Sequence, residues 1–175
     1  MNDILTMKNV VMTNIGAIWV AQMFAQENGV KEIEYAAIGS GDGTFTDPEN
    51  PPREDIAAEI LKSEIARLHY FEVDPIKYFP GKCYLEEIEE GSIKIKGVNY
   101  AVSTEPTNLL LYSFAFDKYS YSGTIKEWGL FASIADRTAG EDANTGIMVY
   151  TKDVPDFPIE GYEQESFIIR LLLAG

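Results

Sequence analysis

A single cysteine, Cys83, and a single histidine, His69, stand in a chain of 175 residues. One cysteine excludes an intrachain disulfide and any cysteine-based metal cluster, so a reducing compartment is the simpler expectation. A structural zinc site wants four nitrogen or sulfur ligands, which one histidine and one cysteine do not supply. No nucleophile elbow or cysteine-protease motif surrounds these two residues, so a structural histidine and a buried cysteine are the better reading, and no catalytic residue is assigned. Long apolar runs are lacking too. Nothing approaches the ~20 residues that span a bilayer, and Met1 to Lys8 has no basic region followed by an apolar stretch. The chain is therefore expected to be made and kept soluble in a cytoplasm, with no membrane partner. Basic residues are few, 14 Lys and Arg against 28 Asp and Glu, for a formal net charge of -14. Such a surface repels phosphate backbones, so no nucleic-acid partner is expected. It also keeps a protein soluble before assembly and can complement a basic partner.

What is present is apolar mass. A hydrophobic share of 46% is enough for a real core in one ordinary domain. The expected division is a segment with a helix over residues 1–30 and a β domain over residues 31–175, together one structural unit. Thr13 and Asn14 are N-cap types, and the run Ile15 to Ala25 leads to Asn28-Gly29, a left-handed stop. Apolar residues nearly encircle this helix, with only Gln22, Gln26 and Glu27 polar. Such a helix is first of all expected to be buried within its own chain; otherwise part of it meets a neighbouring subunit.

Lys31 to Ile38 alternates around Ile33, Tyr35 and Ala37 and breaks at Gly39-Ser40-Gly41-Asp42-Gly43, which predicts a strand entering a glycine-rich turn. Phe45 to Pro52 reads as an exposed loop. Asp55 can cap Ile56 to Lys62 as a short second helix. From there the signal is β: Ile65 to Val73, Cys83 to Ile88, Ile93 to Val102, Leu109 to Phe116, Ile125 to Ser133, Gly146 to Thr151 and Phe167 to Leu173. Glu89-Glu90-Gly91-Ser92 reads as a hairpin link, with Glu87 and Glu89 opposite Lys94 and Lys96. In Ile125 to Ala132, alternation places Ile125, Glu127 and Gly129 on one side and Trp128, Leu130 and Ala132 on the other. Gly129 marks a bulge or a place where a ring must come close. These segments predict a mainly β fold, an antiparallel β-sandwich or barrel-like domain with an N-terminal helix and room for one short second helix. The Asp117 to Gly123 and Ala135 to Thr145 links read as exposed loops suited to partner recognition.

Several chemistries are weakly served. Gly39 to Gly43 lacks the Gly-Lys-Ser/Thr ending of a phosphate loop. Asp42, Asp47 and Glu49 offer oxygen to calcium but not at EF-hand spacing, so a solvated turn is the better reading and no metal or cofactor is assigned. Glu86, Glu87, Glu89 and Glu90 fit a solvated edge better than a glycosidase pair. Tyr112, Phe114 and Phe116 alternate along one strand, which favours core over a sugar-stacking platform. Glu64 and Arg67 would project to opposite sides of a regular strand and would pair only if they straddled a helix end.

Four stretches in order resemble the phage tail-collar fibre protein family. Thr13-Asn14-Ile15-Gly16 is similar to the start of that family's N-terminal helix. Tyr35-Ala36-Ala37-Ile38-Gly39-Ser40-Gly41, Leu61-Lys62-Ser63-Glu64-Ile65-Ala66-Arg67 and Glu127-Trp128-Gly129-Leu130-Phe131 resemble its later motifs, and an apolar strand from Phe167 to Leu173 closes the order. The chain departs from the pattern at Trp128, where a small or aliphatic residue is usual, and no shaft-forming sequence follows. The resemblance implies a non-enzymatic virion protein of the tail region, present in the host cytoplasm during assembly. Its expected role is a collar, baseplate or fibre-attachment subunit. Its implied partners are other tail, neck or baseplate proteins and further copies in a trimer or ring. Trp19 and Phe24 on the helix, with Tyr119 and Tyr121 in a loop, are the candidate interaction residues. The alternative is a host-receptor or carbohydrate-binding module of the tail.

Overall fold

The computed structural model describes residues 11–41, 57–69, 82–91, 93–95, 97–116, 123–159 and 167–174. The elements follow as β1 (Val11–Met12), α1 (Asn14–Phe24), β2 (Ile33–Gly39), β3 (Glu64–His69), β4 (Lys82–Glu87), β5 (Ile93–Ile95), β6 (Val98–Ser103), β7 (Leu109–Phe116), β8 (Gly123–Ala132), β9 (Ile147–Ile159) and β10 (Phe167–Ala174). They form two antiparallel sheets, β1-β9-β8-β2-β3 and β10-β7-β4-β6-β5, and the fold is mainly β and not a closed barrel. Across the gap between the sheets, Tyr112, Phe114 and Phe116 of β7 meet Ala36 and Ile38 of β2, Trp128 and Leu130 of β8, and Val149 of β9. The β7 aromatics are therefore core, buried at 4%, 0% and 0% exposure, and do not form a sugar platform. A second cluster of Cys83, Leu85, Tyr100 and Leu111 lies within the second sheet.

Helix α1 begins as the caps predict. The Thr13 hydroxyl accepts the Gly16 N–H at 3.0 Å, satisfying one of the helix's orphan donors. Its far end differs from expectation. The helix stops at Phe24, and Gln26 takes a left-handed φ of 54°, ahead of Gly29 at 83°. The expectation of burial is also overturned. Of the helix residues only Gly16 and Trp19 are buried, while Phe24 is 85% and Ile18 55% exposed. Two contacts fix the helix so closely that its other side must face outward. A Cβ on Gly16 would stand 2.3 Å from the Val149 carbonyl oxygen, and the Trp19 indole N–H donates to the Lys31 carbonyl at 2.7 Å.

The second helix expected over Ile56 to Lys62 is absent among the described residues, where Ala57 to Ser63 run as turn and bend. The backbone there is engaged elsewhere. The Glu59 carbonyl accepts the Met148 N–H, and the Lys62 and Ser63 N–H groups donate to Glu127, so a helical ladder has lost its partners. The single strand expected over Ile93 to Val102 is instead two, β5 and β6, folded on each other with Gly97 at φ 86°. As a result β4 pairs with β6, Glu87 stands opposite Tyr100, and Lys94 stands opposite Asn99, so the expected Glu–Lys ladder does not form. Lys96 lies outside the described residues, as do Phe45 to Pro52 and Tyr70 to Val73.

Strand β9 runs past the expected end at Thr151 and carries Pro155 and Pro158. Prolines are tolerated there because β1 pairs β9 only at Tyr150 and Thr151, and the register with β8 shifts between Ile125 and Glu127. That same shift moves Ile125 off the face predicted for it. It joins Trp128 in the core, while Glu127 and Gly129 remain on the opposite side. Among the described residues no helix is long and apolar enough to cross a membrane.

Candidate functional site

The outer face of the first sheet gathers three of the sequence motifs into one arrangement. Pairing sets Gly39 and Ala37 of β2 beside Glu127 and Gly129 of β8, with Glu64 and Arg67 of β3 on the far side. Leu61, 1% exposed, covers this face by packing on Ala37, Phe131 and Met148. Glu127 is only 3% exposed, and its carboxylate accepts three backbone N–H groups: Gly41 at 3.2 Å, Lys62 at 3.1 Å and Ser63 at 2.8 Å. A buried charge is tolerable when its lone pairs are met this way. Glycine is required at position 39 because a Cβ there would stand 2.5 Å from Glu127 Oε1 and 2.7 Å from the Ser63 carbonyl oxygen. At Gly129 a Cβ would meet Met148 Sδ at 2.6 Å and the Phe131 ring at 3.1 Å, the close approach expected of that glycine.

Glu64 and Arg67 do pair, through a route the alternation rule conceals. Ile38 opposes Ala66 but Gly39 opposes Glu64, so the register shifts there and Ile65 becomes an extra residue, 40% exposed. The bulge turns two positions three apart onto the same side. Arg67 Nε and Nη2 donate to the two Glu64 oxygens at 2.8 and 2.9 Å, with both side chains 2% exposed. The guanidinium lies 4.1 Å from the Phe131 ring centroid, a cation–π stack. It also donates to the Thr145 carbonyl at 2.9 Å, and Glu64 accepts the Asn144 N–H at 2.9 Å. The Ala135 to Thr145 link is thus tied to the ion pair. Glu141, Asp142, Ala143 and Asn144 are its exposed tip.

The other candidate surface is α1. From Asn9 to Gln26 the sequence carries no charged side chain. Ala17, Ile18, Ala21, Phe24 and Ala25 all face solvent. Phe24, one of the candidate interaction residues, is therefore presented outward, whereas Trp19 is 8% exposed and serves as the anchor beneath. Tyr119 and Tyr121 lie outside the described residues, as do Asp42, Asp47 and Glu49. Ile18, which the motif reading did not single out, is found from its spacing of six residues to Phe24, but only once the buried side of the helix is known.

The remaining chemistry-bearing residues are dispersed. His69 ends β3 in the first sheet, with its ring edge-on to Tyr35 at 4.8 Å, while Cys83 lies on β4 in the second. Burial pushes the Cys83 thiol above its usual value of 9.0 and the Tyr150 phenol above 10.0. Glu86, Glu87, Glu89 and Glu90 are all exposed along β4 and the turn after it. Among the described residues no group of three or more His, Cys, Asp or Glu is placed to hold a metal ion. Compared with models of known protein families and with curated proteins, the chain matches none.

Proposed function

We propose that this chain is a structural subunit of a tailed phage or tail-like particle, a collar, baseplate or fibre-attachment piece that acts by protein–protein assembly. The observation that carries the reading is α1: a helix without charge, held to two packed sheets, that turns Ile18 and Phe24 to solvent in a chain of net charge -14. A solvent-facing helix normally carries charged residues on that side, so an apolar one is surface prepared for a neighbour. The resemblance to tail-collar fibre proteins supplies the kind of particle. Its motifs contribute Gly41, Ser63, Arg67, Glu127 and Phe131 to one bonded arrangement on the outer face of the first sheet. The test is to purify intact particles from the producing strain and locate this chain by mass spectrometry and cryo-EM. Density for the chain in the tail, neck or baseplate is expected, and its absence from purified particles sinks the reading.

A further inference from the structure

The outward stripe of α1 is symmetric about its middle. Ala21 is flanked three residues away by Ile18 on one side and Phe24 on the other, and four residues away by Ala17 and Ala25. At a rise of about 1.5 Å per residue, the two bulky side chains stand about 4.5 Å on either side of Ala21 along the axis, and the two outer alanines about 6 Å. Such a stripe fits itself when reversed. An antiparallel arrangement about Ala21 sets Ala21 against Ala21 and seats each bulky side chain beside an alanine of the other copy, Ile18 by Ala25 and Phe24 by Ala17. The small residue at the crossing point permits the closest helix approach.

We propose that α1 is a self-docking surface: a second copy of this chain binds through its own α1, antiparallel, across a two-fold axis at Ala21. A two-fold axis requires one patch to supply both the knobs and the holes, and this stripe supplies both. Charge favours the same place. Two copies of net charge -14 repel over most approaches, and α1, uncharged from Asn14 to Phe24, lets them meet without placing like charges together. Antiparallel α1 helices also set opposite dipole ends side by side. The helix is only 11 residues, about 16 Å long, so its contact is smaller than the ~800 Å² per partner of a standard interface. Association through it is weak and reversible in solution and is strengthened where copies are held together on a particle. The inference deepens the assembly reading by naming the partner, and rests on that reading only for where the contact is used.

The experiment uses the full chain with Cys83→Ala to remove the native thiol. A residue on a two-fold axis lies beside its own copy, so Ala21→Cys is expected to form a disulfide-linked dimer under mild oxidation at least about tenfold faster than an Ala143→Cys control at the exposed loop tip. Adding Phe24→Glu should cut that rate about tenfold or more, with circular dichroism confirming the fold. Sedimentation of the unmodified chain should show association rising between about 50 mM and about 500 mM salt, as the mutual repulsion is screened. Equal cross-linking at Ala21→Cys and Ala143→Cys, or association that falls with salt, overturns the inference. A chain found in particles but failing these tests leaves the assembly reading intact. A chain that dimerises at Ala21 but is absent from particles does the reverse.

Discussion

One carboxylate, one glycine and two weak acids hold most of what is unusual at the scale of single residues. Glu127 meets three backbone donors with one carboxylate, so Glu127→Gln should cost about 2–3 kcal/mol in urea unfolding, since its amide nitrogen turns a donor toward a donor. Gly39→Ala should cost about 1–3 kcal/mol, because the obstacle includes the Ser63 backbone, while Gly140→Ala, with nothing nearer than 3.7 Å, should stay within about 0.5 kcal/mol. Unfolding curves of the two glycine variants side by side check the ranking. Cys83 and Tyr150 set a pH dependence. Each has a folded pKa above its unfolded one, so the neutral form is favoured in the fold; the stabilisation is complete below the unfolded values and is lost as pH rises through the folded ones. Stability should therefore decline as pH is raised past about 9, measurable by thermal melts across an alkaline series.

Among the elements, β3 shows how an irregularity can create an interaction. The bulge at Ile65 brings Arg67 and Glu64 into a buried pair, and the pair holds the Thr145 end of the link to β9. Arg67→Met leaves Glu64 buried without its cation, with only the Asn144 N–H still bonded to it, and an expected loss of about 3–5 kcal/mol. The double replacement with Glu64→Met should recover part of it. In hydrogen exchange the Asn144 amide should lose protection in both variants, because its acceptor is misplaced in one and gone in the other. The same bulge explains why this pair could not be read from the sequence: two-residue alternation says nothing about where an extra residue enters. Strand β7 was legible to the residue, since Leu109 to Phe116 is one short, nearly unbroken apolar run in which Tyr112, Phe114 and Phe116 alternate. The apolar girth of α1 was legible too, but not its exposed side, because sequence gives a helix's composition and not which third of it Gly16 and Trp19 press against the sheet. Gly97 and the prolines of β9 misled in opposite directions, one splitting an apparently continuous strand and the others failing to end one. For the prolines the deciding factor is whether a neighbouring strand needs the backbone donor at that point, and for Gly97 it is the left-handed φ of 86° that folds the chain back.

Taken as a whole molecule, the chain sets two packed sheets beneath a charge-free helix, and the proposed assembly role follows from that contrast. One feature gives the architecture a further property. Glu127 ties Gly41 and Ser63 to a single carboxylate, so the chain leaves and rejoins the sheet at one fixed gate. Glu59 and Leu61 are themselves docked on the first sheet, so only an insertion ahead of them leaves these contacts in place, and lengthening a chain between two fixed points adds only about 0.6 kcal/mol per doubling. A ten-residue Gly-Ser insertion between Glu49 and Asn50 should leave the melting temperature of the sheets within a few degrees of the parent, whereas the same insertion combined with Glu127→Gln should lower it well beyond either change alone. A carboxylate that clamps Gly41, Lys62 and Ser63 together makes the sheet indifferent to the length of chain inserted ahead of Glu59, as a socket takes different fittings.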